Sequence, residues 1–148
     1  MSGFLLDVNV LLALSWRHHE AYGAAHTWLS GIGERPWASN AITQLGLVRL
    51  LTNPSVIRPG VSAAGAIDAL VEVLDHPGHQ FWSLDDNLQA DLLPLAPRIR
   101  GHHAWTDALL LAQAARRGGV LVTFDAGVKA LATGKLANHL LVLKSRAR

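Results

Sequence analysis

The stretch GFLLDVNVLLAL, Gly3 to Leu14, is apolar except at Asp7 and Asn9. Its opening, FLLDV, is a short continuous apolar run of the kind that forms a strand buried on both faces. From Leu11 onward, Leu14, Ala21, Ala25, Trp28 and Leu29 recur at helical spacing until Gly31, which predicts one helix over that stretch. A second strand is expected at Trp37–Ser39. The segment NAITQLGLVRLLTNP then predicts a helix with Ile42, Leu45, Val48 and Leu51 inward, ended by the Asn53-Pro54 breaker. Another helix is expected from Ser62 to His76, with Ala66, Ile67, Leu70, Val71 and Leu74 on one face.

HQFWSL predicts a third strand, and DDNLQADLLPLAP a short helix broken by Pro94 and Pro97. WTDALLLAQAARRGG is the clearest helix: Thr106 is placed to cap it, Asp107 falls in the first turn, and Arg116 and Arg117 fall in the last. VLVTFD reads as a β-branched strand, followed by a short helix through Val128 and Leu131 and a final strand, HLLVL. Strands alternating with helices predict an α/β fold, with a mainly parallel sheet covered by helices on both faces. No repeat, linker or composition break divides residues 1–148, so one domain is expected.

Composition narrows the chemistry. The chain is 50% apolar and 16% charged, which is that of a folded domain, and it has no cysteine. That excludes disulfides, a thiolate nucleophile and a cysteine-ligated zinc site. The first residues lack a basic leader and the apolar run is too short to span a bilayer, so a soluble, cytoplasmic protein is expected. The net charge is +2 but uneven: no acid follows Asp125, while Lys129, Lys135, Lys144, Arg146 and Arg148 do. Arg35, Arg49 and Arg58 lie in another acid-free interval. Such segregation permits a basic surface, suited to phosphate backbones, beside an acidic pocket.

The acids fall where an α/β sheet binds ligands, off the carboxyl ends of its strands. Asp7 closes the first strand, Asp125 closes VLVTF, and Asp107 opens the helix that runs back to the strand carrying Asp125. Three carboxylates on one rim repel each other, and a hard divalent cation bound through oxygen is the cheapest compensation; magnesium or manganese fits this ligand set. Asn9 and Thr123, each two residues from an acid, are expected to hydrogen-bond the ligating carboxylates.

At these residues the sequence resembles a PIN domain, specifically the toxin of a VapBC toxin–antitoxin pair. The resemblance rests on LLDVNVLLAL, TQLGLVRLLTNP, WTDALLLAQAARRGG and VLVTFDAGV, in the family's order and over most of the chain. It implies a three-layer α/β/α sandwich and a magnesium- or manganese-dependent endoribonuclease. It also implies frequent homodimers and a cognate VapB-type antitoxin that blocks the active site. The family's acidic cluster maps onto Asp7, Asp107 and Asp125. In many relatives a glutamate stands where this chain has Gln44, which keeps a carbonyl oxygen but not the charge; one metal or two is therefore open. Asp85, Asp86 and Asp91 are weighed as replacement carboxylates, with a solvated acidic face as the preferred reading.

Neither His18-His19 nor His102-His103 has zinc-hydrolase spacing, though His102 or His103 is close enough in sequence to Asp107 to touch a substrate phosphate. Trp28 is expected in the core and Trp37 and Trp82 in strands. Trp105, two residues before Asp107, is expected to flank RNA, and Arg49 to contact its phosphates, with Arg116 and Arg117 as further candidates. Two rivals remain: a catalytically weakened PIN-like module that binds RNA or protein without turnover, and a small-molecule phosphohydrolase. Asn9 disfavours a haloacid-dehalogenase-type phosphatase, which would want an acid there, and no G-x-G-x-x-G supports a dehydrogenase.

Overall fold

A computed structural model describes residues 3–84 and 87–146. Five parallel strands form one sheet in the order β3-β2-β1-β4-β5. They are β1 (Phe4–Leu6), β2 (Trp37–Ser39), β3 (His79–Phe81), β4 (Val120–Thr123) and β5 (Leu140–Val142). The chain moves outward from β1 through β2 to β3, then returns to lay β4 on the other side of β1. The strand order therefore reverses between β1 and β4, where Phe4 pairs with Val120 and Leu6 with Val122. A crevice opens at such a reversal, past the carboxyl ends of the two strands.

Strand periodicity sends Phe4 and Leu6 to one face and Leu5 to the other, and all three are buried. Two cores result. One packs Phe4, Leu6 and Val122 against α1 (Val8–Ser15), α2 (Tyr22–Gly31), α3 (Ala41–Thr52) and α4 (Ala63–Leu74). The other packs Leu5, Ala38 and Leu121 against α6 (Ala104–Arg116), with Leu92 of α5 (Leu88–Leu92) at its margin. This is the expected three-layer α/β/α arrangement. Trp28 meets Phe4 edge-on at 5.2 Å on the core side of α2, as expected; Trp37 is buried in β2 as expected, whereas Trp82 is buried just past the end of β3 rather than in it.

Four expectations about helices need correction. The stretch from Leu11 to Gly31 is two helices, because the Ser15 hydroxyl bonds back to the Leu11 carbonyl and Trp16 turns extended. His19 Nδ1 then accepts from the Ala21 N–H just before α2 begins. In α3 the inward row is Thr43, Leu47 and Leu51, whereas Leu45 is 58% exposed. A reciprocal cap sets that rotation: Asn40 Oδ1 accepts from the Thr43 N–H, and Thr43 Oγ1 accepts from the Asn40 N–H. In α4, Ala66 takes the buried position while Ile67 and Val71 face outward. Finally, α6 begins one turn earlier than a Thr106 cap would allow, so Thr106 lies inside it and His103 is the capping position.

Candidate active site

Asp7 sits at the β1–β4 crevice. Its N–H continues the sheet by bonding the Val122 carbonyl at 2.9 Å, while its side chain caps α1 by accepting the Val8 N–H at 2.7 Å. Only 7% of it is exposed. The second carboxylate oxygen accepts the Thr123 hydroxyl proton at 2.8 Å. That hydroxyl in turn accepts from Asn9 Nδ2 and from the Asp125 N–H, both at 3.0 Å, so its one proton and two lone pairs are all used. The Phe124 N–H donates to Asn9 Oδ1 at 3.1 Å, which turns the amide nitrogen toward Thr123. Asn9 and Thr123 thus form one buried brace between the ends of β1 and β4.

Asp125 follows β4 and caps the 3-10 turn Ala126–Ala130, accepting the Gly127 N–H at 2.8 Å. Asp107 lies in the first turn of α6, half-buried. Burial, then the charges of Asp7 and Asp125, push its pKa from 3.8 up to about 6. Asp7 is also raised: burial and the Asp125 charge outweigh the bonds from Thr123 and Val8. The three acids feel one another, and no cation contributes to either shift.

Among the described residues no three His, Cys, Asp or Glu side chains converge closely enough to cage an ion by themselves. Carboxylates that raise one another's pKa form an all-oxygen anionic set, which suits a hard cation that keeps part of its water shell, as magnesium does. Asp7, Asp107 and Asp125 are the residues that could hold it.

Gln44 takes a different part. Its amide Nε2 donates to Ser39 Oγ at 3.0 Å, and Ser39 lies 2.7 Å from His79 Nε2. Buried Ser39, expected only as the last residue of β2, is also the hub of this cluster; its signal is a small polar residue closing an otherwise apolar strand.

Asp91 is not a spare ligand, since it pairs with Arg116 at 2.8 Å; Asp85 and Asp86 lie outside the described residues. Arg117 stacks 5.1 Å from the Trp82 ring and donates to the Ser83 carbonyl, so these two arginines tie α6 to its surroundings. Trp105 is 45% exposed, on the same first turn as Asp107 but at an angular offset from it. His102 and His103 stack at 3.9 Å beside the start of α6. Arg49 is exposed near the end of α3.

A family model for the PIN domain matches residues 4–134, from β1 into the turn before β5. The chain belongs to the PIN-domain family. This PIN domain is 39% identical over 136 residues to Ribonuclease VapC39 of Mycobacterium tuberculosis, covering 92% of this chain and 98% of that one. It is 42% identical over 128 residues to Ribonuclease VapC38 of the same organism, covering 86% and 89% of the two chains. A crystal structure of VapBC2 from Rickettsia felis, bound to a DNA fragment from their promoter, aligns with a TM-score of 0.64 at 15% identity. That alignment covers 95% of this PIN domain and 98% of that chain, a likeness of fold.

Proposed function

We propose that residues 1–148 form one PIN-like domain, a cytoplasmic endoribonuclease toxin dependent on magnesium or manganese and neutralised by a cognate VapB-type antitoxin. A homodimer is the expected assembly. Among the described residues no helix is long and apolar enough to cross a membrane. The observation that carries the reading is the gathering of Asp7, Asp107 and Asp125 at the strand-order reversal, where burial and mutual charge lift the pKa of Asp7 and Asp107. The relatives bearing the name ribonuclease span nearly all of the chain.

When bound, the divalent cation supplies the acidity that makes water a nucleophile and offsets charge building on the phosphate. The chain's own residues prepare the place. Thr123 and the Val8 N–H hold both oxygens of Asp7, and the Gly127 N–H fixes one oxygen of Asp125. Asp107, ionised above about pH 6, completes the anionic rim. In the hydrolysis, a water oxygen bonds to phosphorus, the bond from phosphorus to the 3′-oxygen breaks, and that oxygen takes a proton. The products carry 5′-phosphate and 3′-hydroxyl ends.

The test is cleavage of a labelled RNA panel by antitoxin-free protein in magnesium or manganese, with and without chelator, beside Asp107→Asn. Chelator-sensitive cleavage that the variant loses is the expected result. A 2′,3′-cyclic phosphate product would sink the mechanism, and binding without turnover that ignores loss of Asp107 would favour the weakened module.

A further inference from the structure

Beside the acids runs a groove of about 690 Å³, bounded by Val8, Gly46, Arg49, Asn53, His103 and Thr106. Two of its lining residues adjoin the candidate site along the chain: Val8 follows Asp7 and donates its N–H to that carboxylate, and Thr106 precedes Asp107. Its narrow side depends on Gly46. A Cβ there would stand 2.6 Å from Val8 Cγ2, so only glycine lets α3 lie this close to the start of α1. Arg49, one turn further along α3, is thereby held over the groove.

The guanidinium of Arg49 is always charged, yet it forms no ion pair among the described residues. Its guanidinium is thus free to take an anion from outside the chain. In a groove that opens beside a phosphodiester-cleaving rim, a neighbouring phosphate of the same strand has the charge and the placement. His103, exposed among the lining residues, supplies a ring N–H to the same segment.

We propose that this groove carries the RNA strand past the cleaved bond, with Arg49 gripping a phosphodiester next to the scissile one and His103 contacting the same stretch. The proposal rests on the ribonuclease reading. It separates Arg49, which binds the strand, from the acids, which act at the scissile bond.

The test compares wild type, Arg49→Ala, Arg49→Lys and His103→Ala on a labelled single-stranded RNA oligonucleotide that the wild type cleaves, over a series of salt concentrations. Arg17→Ala, altered in a separate pocket between α2 and α4, serves as the control. Arg49→Ala should raise KM about tenfold with kcat changed less than about threefold. It should also flatten the salt dependence by roughly 0.7 in log–log slope, one single-strand phosphate contact. Arg49→Lys should recover most of the KM, His103→Ala should raise it about threefold, and Arg17→Ala should change nothing. Hydrolysis of bis(p-nitrophenyl) phosphate, a phosphodiester with no neighbouring phosphate, should be the same in wild type and Arg49→Ala. Unchanged KM and salt slope in Arg49→Ala, or equal losses on both substrates, would overturn the groove assignment while leaving the ribonuclease intact. Wild-type protein that cleaves no RNA in the panel would bring down the ribonuclease reading itself. Circular dichroism of each variant confirms folding, and Arg49→Gln replaces Arg49→Ala if the latter unfolds.

Discussion

Two polar clusters occupy neighbouring carboxyl ends of the sheet. At β1 and β4, Asp7, Asn9, Thr123 and Asp125 share a network loaded with negative charge. At β2 and β3, Ser39, Gln44 and His79 share one that is neutral. Both are satisfied hydrogen-bond sets in buried or half-buried surroundings. Only the first is electrostatically unfinished, with Asp7 and nearby Asp107 raised by burial and by the charge of neighbouring acids. The second is self-contained: Gln44 donates to Ser39, Ser39 Oγ shares a 2.7 Å hydrogen bond with His79 Nε2, and burial with nearby His76 lowers the pKa of that imidazole. Polarity alone therefore does not mark a reactive strand end. Uncompensated charge does.

The contrast breaks hardest if the charge is removed. Asp107→Asn should cut RNA cleavage by about 10³-fold or more, and chelator should reduce the wild type to the same level, in a gel assay with labelled substrate. Thr123→Val keeps the shape of the brace but deprives Asp7 Oδ2 of its donor, and Asn9 and the Asp125 N–H of their acceptor. A loss of about 10- to 100-fold in activity, partly recovered at higher metal concentration, is expected.

The same substitution at Asp107 should act oppositely on stability. A carboxylate raised from 3.8 to about 6 in the fold stabilises nothing when ionised. Its neutral form favours the fold fully below the unfolded value, and that advantage disappears as pH rises through about 6. Without divalent metal, Asp107→Asn should therefore be more stable than wild type by about 1–2 kcal/mol near neutral pH, a figure discounted for the half-exposed position. The two should converge below about pH 4, as thermal melts over a pH series would record. Adding magnesium should reverse the neutral-pH ranking.

The smallest effect tests the quiet cluster. Gln44→Glu cannot donate to Ser39, so the serine hydroxyl turns to the new carboxylate and His79 Nε2 must supply a proton instead. The His79 titration midpoint, followed by NMR, should rise, while cleavage changes less than about tenfold. A much larger gain in cleavage would mean that the charge missing at position 44 limits the natural site.

The central strands β1 and β4 were legible in the sequence because they are covered on both faces and read as short apolar runs, whereas β3, an exposed edge strand, was marked mainly by the Pro77-Gly78 breaker before it. Asp7, Asp107 and Asp125 were legible as a group for the same reason, since strand ends in a parallel sheet converge on one rim. Helix rotation was not. The inward turn of Thr43 depends on its exchange of hydrogen bonds with Asn40, which periodicity ranks below an outward Leu45. The break at Trp16 was hidden because α2 resumes the apolar spacing of α1 almost in phase. Gln44 was visible as a missing charge, but its link to His79 joins β2, α3 and β3 and has no local pattern.

The Thr123–Asp7 hydrogen bond spans 116 positions of the chain. While the protein is being synthesised, β1 and its acid emerge first, yet they have no rim to join until β4 has left the ribosome and docked beside β1. Nearly the whole domain must be made before the three acids can face one another. Truncated or stalled chains ending before β4 thus present Asp7 without its brace and without Asp125, and the acidic rim comes into being as one of the last acts of folding.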